Sequence, residues 1–254
     1  RRLVIEEPKP VEFGPFDPTE VISREVWIQK KNDFLSKRSV YHQDDVAFIS
    51  YNFSLLLPEF SEELQLTDNG KDKIIKDLNN STYPPRNLPD YVFLKYFDPV
   101  RLSRLPIEKD KIETQINTEI TEGRFIWSLP AYFKILYPDA SFPLPDKHVL
   151  DKVDLGEEDD IYSVAFQLRY MKTLYQNRFK TIKYDDKFWN QARLKLDEFM
   201  EHEGFFELIN FASSLKVLAA KEIKFGERGI ELVMPKKSLL AEYNTPPLPE
   251  TKRF

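Results

Sequence analysis

The stretch Asp146–Met234 contains no proline, although the 254-residue chain carries 18. Fourteen precede it and four follow it. Proline fixes φ and removes a backbone donor, so dense prolines cut a chain into short helices and extended pieces. A proline-free stretch is at liberty to run long helices. That contrast divides the chain into an extended arm (1–16), a proline-punctuated helical region (17–145), a helical core with a terminal hairpin (146–234) and an extended tail (235–254). The expected fold class is mainly α: an irregular proline-rich helical N-terminal half plus a C-terminal three-helix unit with a small β-hairpin, flanked by extended arms.

Within the proline-free stretch the apolar residues keep a helical period. Glu157, Glu158, Asp159 and Asp160 put negative charge at a helix N-terminus, where the helix dipole favours it. Ile161, Val164, Ala165, Leu168, Met171 and Tyr175 follow, with the pattern extending to Phe179 and Ile182. Asp185-Asp186 starts a second helix through Phe188, Trp189, Ala192, Leu196, Phe199 and Met200, which Gly204 ends. A third carries Phe205, Leu208, Ile209, Ala212, Leu215 and Ala219. Short turns between them predict antiparallel neighbours. Glu222–Phe225 and Ile230–Met234 read as strands of a hairpin with the four-residue loop 226–229.

The first half is read in shorter units. Asp17 caps and Pro18 opens a helix to about Lys37, with Ile22, Val26, Phe34 and Leu35 inward. Asp44-Asp45 starts a helix that is apolar on most sides until Pro58, and another follows Asp68. Residues 81–91 read as a proline-rich connection, and Asp98-Pro99 starts a short helix. Ile112, Ile116 and Ile120, spaced by four, define one face of a helix over 106–122, with Gly123 as its C-terminal stop. The run 124–138 holds five aromatics in fifteen residues. Core is its plainer reading; a partner-docking patch through Phe125, Trp127, Tyr132 and Phe133 is the sharper one.

Composition excludes several classes of function. There are no cysteines, so disulfides and thiolate chemistry are absent, which fits an intracellular protein. A net charge of −5 disfavours a general nucleic-acid binder. No run reaches the roughly 20 apolar residues of a membrane span. None of the seven glycines belongs to a G-x-G-x-x-G or G-x-x-x-x-G-K loop. Glu198, Glu201 and His202 share a helix, but a di-iron Glu-x-x-His spacing fails because Phe199 stands three before His202. No catalytic, cofactor or metal residue is assigned.

Two features point to partners. The arms carry apolar side chains among their prolines: Val11, Phe13 and Phe16 at one end, Leu239, Leu240 and Tyr243 at the other. Arg169, Lys172, Arg178, Lys180 and Lys183 are interleaved with tyrosines, a pattern able to contact RNA, although a polar helix face explains it as well. The expected function is a non-catalytic architectural subunit of a large multi-subunit assembly, binding neighbouring proteins through its arms. A ribonucleoprotein such as a mitochondrial ribosome would accommodate the arms, the local basic helix and a processed N-terminus. The start at Arg1-Arg2 fits a cleaved targeting peptide, a trimmed sequence or an unseen N-terminus alike, and the expected location is intracellular, with the mitochondrial matrix one such setting. The alternative is a helical hydrolase or transferase with carboxylates in a cleft between the two halves.

Overall fold

A computed structural model describes residues 14–123, 127–144, 160–176, 186–201 and 204–236. These residues form a mainly α fold: α1 (Pro18–Val21), α2 (Arg24–Lys37), α3 (Gln43–Leu56), α4 (Asp68–Asn80), α5 (Leu88–Phe97), α6 (Pro99–Leu102), α7 (Lys109–Thr121), α8 (Ser128–Leu136), α9 (Ile161–Tyr175), α10 (Asp186–Glu201) and α11 (Phe205–Ala219). The hairpin of β1 (Glu222–Gly226) and β2 (Gly229–Val233) follows.

Two helices make the centre. α3 is buried on nearly every side from Val46 to Leu56, and α11 is buried almost throughout, from Phe205 to Ala219. They pack on each other, α9 and α10 lie against α11, and α5 and α8 extend the layer from α3 and α9. α11 tolerates this because Ala212, Ser213 and Ser214 are small, and both serine hydroxyls return to the Asn210 carbonyl. One cluster of buried apolar side chains runs from Phe16 to Ile230 and draws on both sides of Asp146. Trp27, Trp189, Tyr51, Phe34, Phe53, Phe133 and Phe188 are among its largest fully buried members. Each contributes on the order of 2–3 kcal/mol by removal from water.

Helix ends follow local chemistry with some departures from expectation. Asp17 caps α1 by accepting from the Thr19 amide, but the helix stops at Val21 and Ser23 caps a fresh one. The restart changes the phase. Trp27, Lys31 and Phe34 point inward, while Val26 is 41% exposed. Residues 81–91 are not merely a connection: a 3₁₀ turn, Pro84–Asn87, runs straight into the ten-residue α5. Pro89 falls in its first turn, where a missing N–H costs nothing. Gly123 does end α7, with φ +73. The first long C-terminal helix is described as Ile161–Tyr175, after which Gln176 takes φ +43; the expected pattern runs on to Phe179 and Ile182. Those two residues lie outside the described ones. The hairpin loop is two residues, Glu227-Arg228, because Gly226 pairs with Gly229. Gly229 has φ +132, a conformation that costs little only without a Cβ.

Lysines from one helix close the C-terminal ends of others. Lys30 of α2 donates to Met200 O of α10 at 2.9 Å, and Lys95 of α5 donates to Ile135 O and Leu136 O of α8 at 2.9 and 3.3 Å. Lys172 of α9 donates to Leu218 O (2.6 Å) and Ala220 O at the end of α11, and Lys216 of α11 donates to Leu56 O of α3. The last carbonyls of a helix lack partners within the helix and carry partial negative charge, so an ammonium answers both needs.

Candidate functional site

Residues 16–18, where the expected N-terminal arm ends, are fixed to the body. Phe16 is 9% exposed and meets Trp189 edge-on, with ring centroids 5.3 Å apart. Asp17 takes hydrogen bonds from Thr19 N and Thr19 Oγ1 at 2.9 and 2.8 Å, and its Oδ2 lies 3.6 Å from Lys216 Nζ. Trp27 Nε1 donates to Pro18 O at 3.2 Å. Of the expected partner-binding residues, Phe16 therefore belongs to this chain's own core. So do Tyr132 and Phe133, the latter fully buried against Tyr137 and Phe142. Inward-facing positions of an amphipathic helix take aromatics as readily as a docking patch does. Trp127 is half-buried beside Tyr175. Val11, Phe13, Phe125, Leu239, Leu240 and Tyr243 lie outside the described residues.

The basic residues divide similarly. Arg169 is 3% exposed, so it is not presented for an RNA contact. Its Nη1 donates to Asn52 Oδ1 at 2.7 Å and Ser213 Oγ at 3.0 Å, joining α9, α3 and α11. Lys172 is engaged at the end of α11, as described above. Arg178, Lys180 and Lys183 lie outside the described residues.

Around Arg169 stands a buried polar centre. The Tyr132 and Tyr170 hydroxyls are 2.7 Å apart, and the Arg169 guanidinium carbon lies 5.9 Å from the Tyr170 ring centroid. Burial pushes the Tyr51, Tyr132 and Tyr170 phenols up, against the pull of the Arg169 charge. All three are therefore neutral near pH 7. Among the described residues no carboxylate lies within ion-pair distance of Arg169. Its charge is held by amide and hydroxyl oxygens instead, an arrangement that ties three helices together.

A second polar group stands where α3, α4 and α5 meet. Lys73 of α4 lies 3.7 Å from Asp44 Oδ1 of α3 and 3.9 Å from Asp77 Oδ2. Asp90, in the first turn of α5, feels both carboxylates. Burial first, then Asp44 and Asp77, push it up to about 7, with Lys73 opposing. Beside this corner is a cleft of about 270 Å³ between the end of α4, the start of α5 and residues 105–108. A different cavity, of about 310 Å³, does lie between the two halves, lined by residues including Lys134, Asp139, Phe142, Leu174 and Tyr175. It holds one carboxylate, Asp139, rather than a convergent pair. Among the described residues no group of three or more His, Asp or Glu is placed to hold a metal ion, and no helix is long and apolar enough to cross a membrane.

Comparison of the chain with protein-family models, with curated proteins and with solved structures finds no match. Sequence reasoning missed the raised Asp90, the lysine closures and the burial of Arg169. The only sequence signal for Arg169 is its place, one residue after Leu168, on the inward face of a helix whose neighbours are core.

Proposed function

We propose that this protein is a non-catalytic architectural subunit of a large multi-subunit assembly, holding neighbouring proteins through its arms. The observation that carries this reading is the root of the N-terminal arm, where Phe16 and Asp17 are locked to Trp189 and Lys216. An arm clamped at its base transmits position from a rigid body to whatever its outer residues grip. Val11, Phe13, Leu239, Leu240 and Tyr243 supply the apolar contacts in this reading, with Trp127 as the body's own contribution. A ribonucleoprotein such as a mitochondrial ribosome is the setting we favour, with RNA contact reduced to Arg178, Lys180 and Lys183.

Two truncations, of 1–13 and of 237–254, test the reading against the intact chain in affinity purification. Loss of co-purifying subunits with an unchanged melting temperature supports it. Retention of every co-purifying protein by the doubly truncated chain sinks it. Reversing Arg178, Lys180 and Lys183 tests the RNA contact separately, by RNA recovery at low salt.

A second reading, a helical enzyme that uses carboxylates, is favoured by one observation. Asp90 at about 7 is tuned to the range where a carboxyl both gives and takes protons. Turnover that follows a single ionisation near pH 7 and vanishes in Asp90→Asn would establish it. Turnover indifferent to that substitution would remove it.

A further inference from the structure

We propose that the buried polar centre between α3, α8, α9 and α11 binds a halide ion, with the Arg169 guanidinium as its main donor and the Tyr51 hydroxyl as a second. Among the described residues only Nη1 of Arg169 has hydrogen-bond partners, Asn52 Oδ1 and Ser213 Oγ. Nε and Nη2 have hydrogens to give and no acceptor there. Neither is among the enclosed, unpartnered polar atoms, so each borders space that a water-sized sphere reaches. Tyr51 is completely buried, and its hydroxyl is enclosed without a partner. Tyr132 and Tyr170 share one hydrogen bond between two hydroxyls, which leaves one of their hydrogens for another acceptor.

The formal charge around this centre is positive. Within three residues either side of Asn52, Tyr132, Arg169 and Ser213 there is no Asp or Glu, whereas Lys134, Lys172 and Lys216 fall in those windows. The lysines are engaged with backbone carbonyls, and Lys216 also with Asp17. Arg169 alone meets only neutral oxygens. All three phenols feel its charge. Asp90 acts on Tyr132 as well, more weakly than burial and Arg169 do, and it is protonated below about pH 7. A buried charge with neutral contacts alone carries a desolvation cost that a counter-ion offsets.

A halide only accepts, from any direction, and its single charge matches the guanidinium. Water would bring two hydrogens that need acceptors of their own. The free buried acceptor on α11, Asn210 Oδ1, belongs to a side chain whose Nδ2 is turned to Tyr162, about two turns before Arg169 on α9. Polyatomic oxyanions are larger and carry more lone pairs than these donors fill. This assignment is independent of the arms and of any turnover at Asp90.

The test is urea unfolding at pH 6 in mixtures of sodium bromide and sodium gluconate at fixed ionic strength. Replacing gluconate by bromide should raise the midpoint, logarithmically once bromide exceeds its dissociation constant. Tyr51→Phe removes a hydroxyl that has no partner, so in gluconate the variant should be at least as stable as the wild type. In bromide it should gain less, with about tenfold weaker affinity, the loss of one charge-assisted contact. Crystals grown in bromide should show anomalous density within hydrogen-bond distance of Arg169 Nε or Nη2. A midpoint indifferent to bromide, equal gains in both proteins, or bromide bound at the surface as an adventitious ion only would each overturn the assignment.

Discussion

Lys216 Nζ lies 3.6 Å from Asp17 Oδ2 with each side chain only 10% exposed, and the same ammonium donates to the Leu56 carbonyl. One lysine therefore joins the N-cap of α1, the central α11 and the end of α3. Asp17→Asn keeps a side chain able to cap α1 and removes the charge, which isolates the ion pair. We expect it to lower unfolding free energy by about 2 kcal/mol, because the lysine is left buried with a carbonyl alone. Asp17→Ala should cost about 1 kcal/mol more through the lost cap. Urea midpoints at constant slope measure both, and equal stability of the two variants would contradict the division.

Lys172 is engaged at Leu218 O and Ala220 O, so its role is read in stability. Lys172→Met retains the stem and removes the charge. It should cost about 1–2 kcal/mol, the range for a cation at a partly buried helix C-terminus. Lys95→Met, at the end of α8, should behave alike. RNA retention that fell in Lys172→Met without any loss of stability would show that the ammonium works outside the protein instead.

Arg169 tests the polar centre. Arg169→Ala leaves Asn52 and Ser213 buried beside a void, and we expect a loss of about 4 kcal/mol. Arg169→Lys keeps the charge but lacks the planar fork, and should recover about half of that. Hydrogen exchange in α3, α9 and α11 should quicken together, since the same guanidinium touches all three. Faster exchange confined to α9 would mean that Arg169 does not couple the helices.

Legibility in the sequence followed the range of the forces. Caps and periodicity act within a few residues, so the Asp17, Asp98 and Asp160 starts, the Ile112 and Ile116 face of α7 and the hairpin strands can be read directly. α5 was hidden because Pro89 is a breaker in mid-helix but harmless in a first turn, and position within an unseen helix decides which. Arg169–Asn52 spans 117 residues and Lys216–Leu56 spans 160. No local pattern encodes such pairs. A basic residue on an inward face is the sole trace they leave, and at Arg169 the neighbouring tyrosines and lysines make it look like part of a polar helix face or an RNA contact. The Asp44, Asp77 and Asp90 corner was invisible for the same reason: three separate helices bring it together.

Asp90 gives the protein a signed pH dependence. Its folded pKa of about 7 lies above the ordinary 3.8, so the folded state holds a proton that the unfolded state has released between those values. Stability contributed by this group is thus fully present below about pH 4 and falls as pH rises through 7. The groups that set it are Asp44 on α3 and Asp77 and Lys73 on α4, and its charge is felt in turn by Tyr91 on α5 and Tyr132 on α8. Asp90→Asn cannot ionise, so it escapes the penalty. The variant should match the wild type near pH 4 and exceed it by on the order of 3 kcal/mol at pH 8. Lys73→Met should act oppositely, raising the Asp90 pKa and deepening the wild-type loss. Unfolding curves at pH 4, 6 and 8 measure the difference, and a gap between Asp90→Asn and wild type that does not grow with pH would place Asp90 in ordinary solvent.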